Sequence, residues 1–217
     1  WFAFTIGLRA GKSVNGFPYF LWIIAGVVPW FYISEMITGG TECIRKYSYL
    51  VTKMKFPVAT IPTFINISKF SIHVLLIAIV IIIFMVLGYM PDIYLLQLPV
   101  YMLLAFLFLN FWGLFSSLLG VISKDYSNLV KSFITALFWL SGIMWNPDTI
   151  GNELVRKLLN LNPVTFLVSG FRNCFINKIW FWEQPKRLIY FLIITAILLI
   201  LAIATYKKLR KDIPDVL

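Results

Sequence analysis

The side chains of this 217-residue chain best placed to do chemistry are cations and aromatic rings, and they gather between Ser141 and Arg187. That stretch holds six Lys/Arg against three acids, and five aromatics fall between Phe171 and Trp182. Lysine and arginine bind anionic oxygens, arginine as a planar fork. Aromatic rings offer flat apolar faces with a polar edge. Trp145, Arg156, Lys157, Phe171, Arg172, Phe175 and Lys178 are therefore candidate contact residues. Six cations in one short region call for an anionic ligand or anionic headgroups. Trp180 to Trp182 read instead as part of an interfacial aromatic belt.

Catalytic chemistry is poorly supplied. Nine acids are scattered along the chain with a single histidine, His73. Acid–base work needs such groups clustered at one face, which weighs against a membrane-bound glycosyl or phosphoglycerol transferase. Gly11-Lys12-Ser13 tempts a phosphate-loop reading, but that loop needs four residues between its glycines and a preceding strand; Gly7 stands one residue too close. Cys43 and Cys174 have no metal spacing, and no metal site is expected. No disulfide is expected between them either, since the topology below puts them on opposite sides of a membrane.

The elements that must position these residues read as membrane spans. The chain is 60% hydrophobic and only 13% charged, against about 25% charged in soluble domains. Apolar runs of about the spanning length cover Tyr19 to Ile37, Phe70 to Leu87, Leu95 to Ile122, Leu129 to Trp145 and Leu188 to Tyr206. Trp1 to Leu8 is too short to span and reads as the end of a helix whose beginning precedes the chain. The expectation is an all-α integral membrane protein with six transmembrane helices, the first truncated. The formal charge of +10 is spread between spans, which excludes a nucleic-acid partner and points to lipid headgroups.

Between the last two spans, Glu153 to Leu161 places Leu154, Leu158 and Leu161 on one helical face. Pro163 to Ile176 does the same with Val164, Leu167, Val168, Phe171 and Phe175, after an Asn162-Pro163 break. Apolar recurrence at i, i+3, i+4 and i+7 with proline in the first turn signals helix. Two helices this short suggest a re-entrant hairpin, tolerated at depth where protein or a wet cavity shields the backbone. The pair forms either the outer gate of a transport path or an interfacial cap.

Other polar groups fall within or beside spans. Glu35, near the end of the first complete span, is either an intramembrane functional acid or an interfacial one paired with Arg45 or Lys46. His73 is either a proton relay or a hydrogen-bonded bundle histidine. Asn110, Gly113, Ser117 and Gly120 share a helical face with Ser116 alongside, suited to close packing or to lining a pore. The basic Arg45–Lys55 loop and the Lys207–Lys211 tail lie an even number of crossings apart, so both can be cytoplasmic. The Ser141–Arg187 region then faces outward.

Order and spacing across the chain now carry a resemblance. Its elements are the Val28-Pro29-Trp30-Phe31 run with Ser34 nearby, the Leu50-Val51-Thr52-Lys53-Met54-Lys55-Phe56-Pro57 run, Asn162-Pro163, Gly170-Phe171-Arg172 and a double half-helix before the last span. Together these resemble the permease subunit of type-2 ABC exporters, nearest to teichoic-acid translocation permeases and next to O-antigen export permeases. The resemblance implies one ABC-2-type transmembrane domain over residues 1–217, lacking the family's N-terminal amphipathic helix and most of its first span. It implies a homodimer bound to two ATP-binding cassette subunits, which hold the ATP and Mg; this chain itself carries no cofactor. Leu50, Val51, Lys53, Lys55, Phe56 and Pro57 would form the coupling helix seated on the ATPase. Trp30, Phe31, Glu35 and Asn110 would line the channel. The hairpin's rings and cations would meet sugar faces and phosphates. The implied cargo is wall teichoic acid on a polyprenyl diphosphate, with a lipid-linked O-antigen or capsular polysaccharide as the alternative. The implied location is a bacterial cytoplasmic membrane, with both termini of the full-length chain cytoplasmic.

Overall fold

The computed structural model describes residues 16–54, 56–147, 150–210 and 213. The truncated span expected at Trp1–Leu8, the Gly11-Lys12-Ser13 turn and Lys55 lie outside the described residues. Among those described, regular structure is helical throughout: α1 (Tyr19–Lys46), α2 (Ser48–Thr52), α3 (Thr60–Val86), α4 (Leu98–Ile122), α5 (Lys124–Leu140), α6 (Glu153–Asn160), α7 (Pro163–Arg172) and α8 (Pro185–Leu209). Short 3₁₀ segments cover Ile93–Gln97 and Phe181–Glu183, and a π-helical turn, Asn173–Asn177, prolongs α7. Four stretches are long and apolar enough to cross a membrane among the described residues: Tyr19–Lys46, Thr60–Val86, Ile93–Ile122 and Pro185–Leu209.

Several boundaries depart from the sequence reading, each for a local reason. α1 does not stop at Ile37. Gly39 and Gly40 look like breakers, but Gly40 packs closely on Gly113 of α4 and the helix runs on to Arg45 and Lys46, cations that suit a C-terminal helix end. α3 begins at Thr60 rather than Phe70, because Pro62 falls in its first turn, where no N–H is required. Lys69 thus lies well inside the helix rather than at its edge. Only Ser123 separates α4 from α5, where a longer polar turn was expected. Its hydroxyl accepts the Tyr126 amide at 3.2 Å, as an N-cap does. α5 ends at Leu140, because Gly142 adopts φ +63, the left-handed stop that favours glycine. Trp145 therefore sits in the turn beyond the helix, its indole donating to the Trp139 carbonyl at 2.9 Å.

The described residues fall into two compact units. One lies within Trp1–Phe31, His73–Met102 and Phe138–Tyr190, the other within Tyr32–Ile72, Leu103–Leu137 and Phe191–Leu217. The first is packed around α7, whose Val164 to Val168 and Gly170 to Arg172 are all buried. Tyr101 lies against Gly170 so closely that a β-carbon there would overlap its ring. Gly170→Ala should consequently lower stability by about 1–3 kcal/mol through overpacking; an unchanged melting temperature in detergent would show that the ring moves aside without penalty.

The second unit is held by a cluster of Cys43, Ile44, Val51, Val58, Ile61, Leu118, Val121 and Ile213. A polar seam runs beside it. Thr41 meets Ser116 at 2.6 Å, and Ser116 meets the Tyr126 hydroxyl at 3.0 Å. Gly113, Ser116, Ser117 and Gly120 are buried at this α1–α4 contact, so the small-residue face of α4 packs helices together.

Candidate functional site

The hairpin before α8 is built from two unlike halves. Asn152 caps α6 by accepting the amides of Leu154 and Val155, and Asn162 caps α7 by accepting Val164 N–H, with Pro163 at the first helical position. Asn–Pro therefore marks a helix start, where proline's missing N–H costs nothing. Leu154, Leu158 and Leu161 of the α6 segment are exposed, and no residue of α6 is buried. α7 is buried on every side, which protects the backbone of a short helix from an apolar surround.

The hairpin's cations divide accordingly. Arg172 is 3% exposed. Its guanidinium donates to the carbonyls of Trp22 (3.2 Å), Gly142 (2.7 Å) and Ile143 (2.5 Å) and lies 3.4 Å from the centre of the Trp22 ring. It can reach the α1 backbone because residue 26, one turn on, is glycine; a β-carbon there would collide with the guanidinium. The next carbonyl of the same turn, Met144, accepts the Tyr19 hydroxyl at 2.5 Å, and the Asn162 side chain donates to Ser141 Oγ at 2.8 Å. Three consecutive carbonyls after α5 are thus held by donors from α1 and α7. The expectation that Arg172 faces a ligand is corrected: its charge is turned inward to fasten the hairpin. Phe171, fully buried, meets the His73 ring edge-on at 5.4 Å, and Phe175 packs on Phe84 at 5.0 Å. Both are core rings rather than surface ones.

The remaining hairpin residues are accessible. Lys157 pairs with Glu153 at 2.8 Å, and Arg156 and Trp145 are half-buried. Lys178 pairs with Asp92 at 2.8 Å and closes the π turn by donating its amide to Asn173, at φ +54. The Lys178 ammonium and then the Ile93 amide hold the Asp92 carboxyl below the usual carboxylate range. Beside this pair lies a cavity of about 240 Å³ walled by Phe17, Phe84, Tyr89 and Phe175. Gln97, unnoticed in the sequence, is buried and clamps the exit of the hairpin. It donates to the Ile179 carbonyl and accepts the Phe181 amide, both at 2.9 Å. A lone glutamine beginning an apolar helix was the available signal.

The other expected lining residues do not converge. Trp30 is buried against Phe138, Phe31 is exposed, and Asn110 is half-buried with its Oδ1 shielded and unpartnered among the described residues. Glu35 pairs with Lys69 at 2.8 Å, not with Arg45 or Lys46. Because α1 continues, Arg45 lies about 15 Å further along the axis, where its guanidinium donates to the Val121 carbonyl at the end of α4 (2.6 Å). Glu35 does line a polar cleft of about 460 Å³ between α1, α3 and α5, together with Glu42, Lys46, Lys69 and Lys131. Glu42 pairs with Lys131 at 2.5 Å.

The segment expected to couple is a five-residue helix, α2, followed by turns at 53 and 54. Val51 is buried in the second unit's apolar cluster, and Leu50 and Phe56 pack against it. Tyr49, Thr52, Lys53, Met54 and Pro57 are exposed.

Comparison with known proteins agrees with this architecture. Residues 2–176 match the family described as ABC-2 type transporter. Among curated proteins, the chain is 26% identical over 173 residues to an O-antigen export system permease protein of Myxococcus xanthus, covering 79% of this chain and 65% of that protein. It is 26% identical over 202 residues to the protein of the same description from Klebsiella pneumoniae, covering 92% of this chain and 76% of that one. The chain thus spans about two thirds of the first relative's length and somewhat more of the second's. With four helices of spanning length and a family match over most of its residues, this chain is a multi-pass membrane protein that belongs to the ABC-2 type transporter family.

Proposed function

We propose that the chain is the permease of an ATP-driven exporter that carries a lipid-linked polysaccharide of the O-antigen type across a bacterial cytoplasmic membrane. Both similar proteins are described as O-antigen export permeases. That shared description is the observation that carries the reading, and the pairing of the hairpin's cations is compatible with it. A polyanion such as wall teichoic acid would be drawn by uncompensated cations. Of the four candidate cations, Arg172 is buried on carbonyls, and Lys157 and Lys178 each stand in an exposed pair with an acid, Glu153 and Asp92. Of that set, Arg156 forms neither an ion pair nor a buried contact of this kind among the described residues. A neutral glycan asks for no such surface.

In this reading two copies of the chain assemble with two ATP-binding cassette subunits, which supply ATP and Mg. α2 and the turn after it transmit motion from them. The basic ends at Arg45–Lys53 and Lys207–Arg210 face the cytoplasm and the hairpin faces outward, as the positive-inside rule prefers for the former. In this reading α5 adds a fifth crossing.

The test is ATP hydrolysis by the full-length permease reconstituted with its ATPase. A lipid-linked neutral glycan should raise turnover several-fold, and a lipid-linked polyol-phosphate polymer should leave it at the basal rate. The opposite pattern returns the cargo to teichoic acid.

A further inference from the structure

We propose that the cleft between α1, α3 and α5 binds the phosphate of a lipid headgroup, with Lys69 and Lys131 leaving Glu35 and Glu42 to take it. Glu35, Thr38, Gly39, Glu42 and Lys46 line this cleft from α1, a spacing of three, four, seven and eleven residues that makes one continuous polar stripe on a helix. Ser68 and Lys69 of α3 and Lys131 of α5 face it. Ionisable side chains within spanning helices mark ligand or ion paths by default. Here five converge in a chain only 13% charged. The cavity of about 460 Å³ falls in the range of small-molecule sites.

The charge arithmetic selects the ligand. Three lysines face two glutamates, an excess of one positive charge. The ion pairs are not sealed: the side chains of Lys69 and Glu35 are 34% and 52% exposed, those of Lys131 and Glu42 50% and 40%. Pairs this open contribute roughly 0–1 kcal/mol, so they separate readily. A second carboxylate would gain little by replacing Glu35 or Glu42. A lipid phosphodiester carries one charge on each phosphate, which matches that excess, and its non-bridging oxygens take charge-assisted hydrogen bonds from both lysines and Lys46. The glutamates then serve as placeholders that keep an empty cleft from holding uncompensated lysines. The transport reading bears only on the source of that phosphate, a polyprenyl carrier rather than a bulk phospholipid.

The test is binding to the full-length permease in nanodiscs, read as apparent affinity by thermophoresis. The probes are a short polyprenyl diphosphate, phosphatidylglycerol and inorganic diphosphate. Lys69→Gln and Lys131→Gln should each weaken polyprenyl diphosphate about tenfold, equivalent to about 1.4 kcal/mol. Glu35→Gln with Glu42→Gln should strengthen it several-fold, because no carboxylate competes. Lysine variants that bind as wild type does, or a glutamate double variant that binds no better, overturn the assignment. Tighter binding of either lipid than of inorganic diphosphate identifies a headgroup, and the better of the two lipids names its source. Lysine-dependent binding in a complex that exports no glycan sinks the transport reading and keeps the cleft. Glycan export with lysine-independent binding sinks the cleft alone.

Discussion

Arg172→Ala is expected to lower the melting temperature of the detergent-solubilised protein by about ten degrees. The guanidinium satisfies three carbonyls from two separate chain segments, and no other donor reaches Gly142 or Ile143 among the described hydrogen bonds. Each buried carbonyl left without its donor costs about 1–3 kcal/mol, so losing the donor to three of them costs roughly 3 kcal/mol or more. For a chain of this size each kcal/mol moves the midpoint by about 2–4 °C. Arg172→Lys should fall between, because a point charge cannot fan out to three acceptors or lie flat on the Trp22 ring. A variant Arg172→Ala that melts within about 2 °C of the parent would mean that the hairpin is held by α7's apolar packing and that the guanidinium is incidental.

The second large effect is expected at the proposed ATPase contact. Lys53→Glu combined with Met54→Asp should weaken association with the ATP-binding subunit about thirtyfold, close to 2 kcal/mol, and export should fall with it. Charge reversal inside a docked interface places like charges together and removes an apolar contact at the same time. Both side chains are exposed, so the isolated permease should melt as the parent does. Val51→Asp makes the contrast. It buries a carboxylate in the cluster with Ile44, Val58 and Leu118 and should unseat the helix itself. Full export by the Lys53→Glu, Met54→Asp variant would remove this segment from the coupling route.

How far the sequence revealed this arrangement depends on whether the deciding partner was local. The Asn162-Pro163 start of α7, the separate helix of Glu153 to Asn160 and the long apolar α8 were legible, because caps, proline and periodicity act within a few residues. α1 was cut short at Ile37 because the apolar run of spanning length stops there. What overrides it is the packing of α4, far along the chain. Lys131 was unremarkable until α5 brought it to Glu42. Arg172 was read as a surface cation because it sits in a basic stretch, and its acceptors are backbone carbonyls that no side-chain pattern announces. Glu35 was expected to pair with Arg45 or Lys46 and pairs with Lys69 instead, since its pairing depended on where α3 begins. The segment expected to couple was named from resemblance, and the burial of Val51 beside Val58 emerges only in the fold.

The π turn at Asn173–Asn177 has a consequence for insertion and deletion. It is one turn wound wide at the end of an α-helix, so it accommodates one residue beyond what an unbroken α7 would hold. The chain leaving it emerges about 100° around the axis from where a regular helix would have released it. Lys178 reaches Asp92, and its amide closes on Asn173, in that rotated register. Removing any single residue from this turn would erase the widening rather than the helix. The exit of the hairpin would then swing away from the Asp92 turn and out of the grip of Gln97. The length of the chain at this point, more than the identity of its residues, sets where the last span begins.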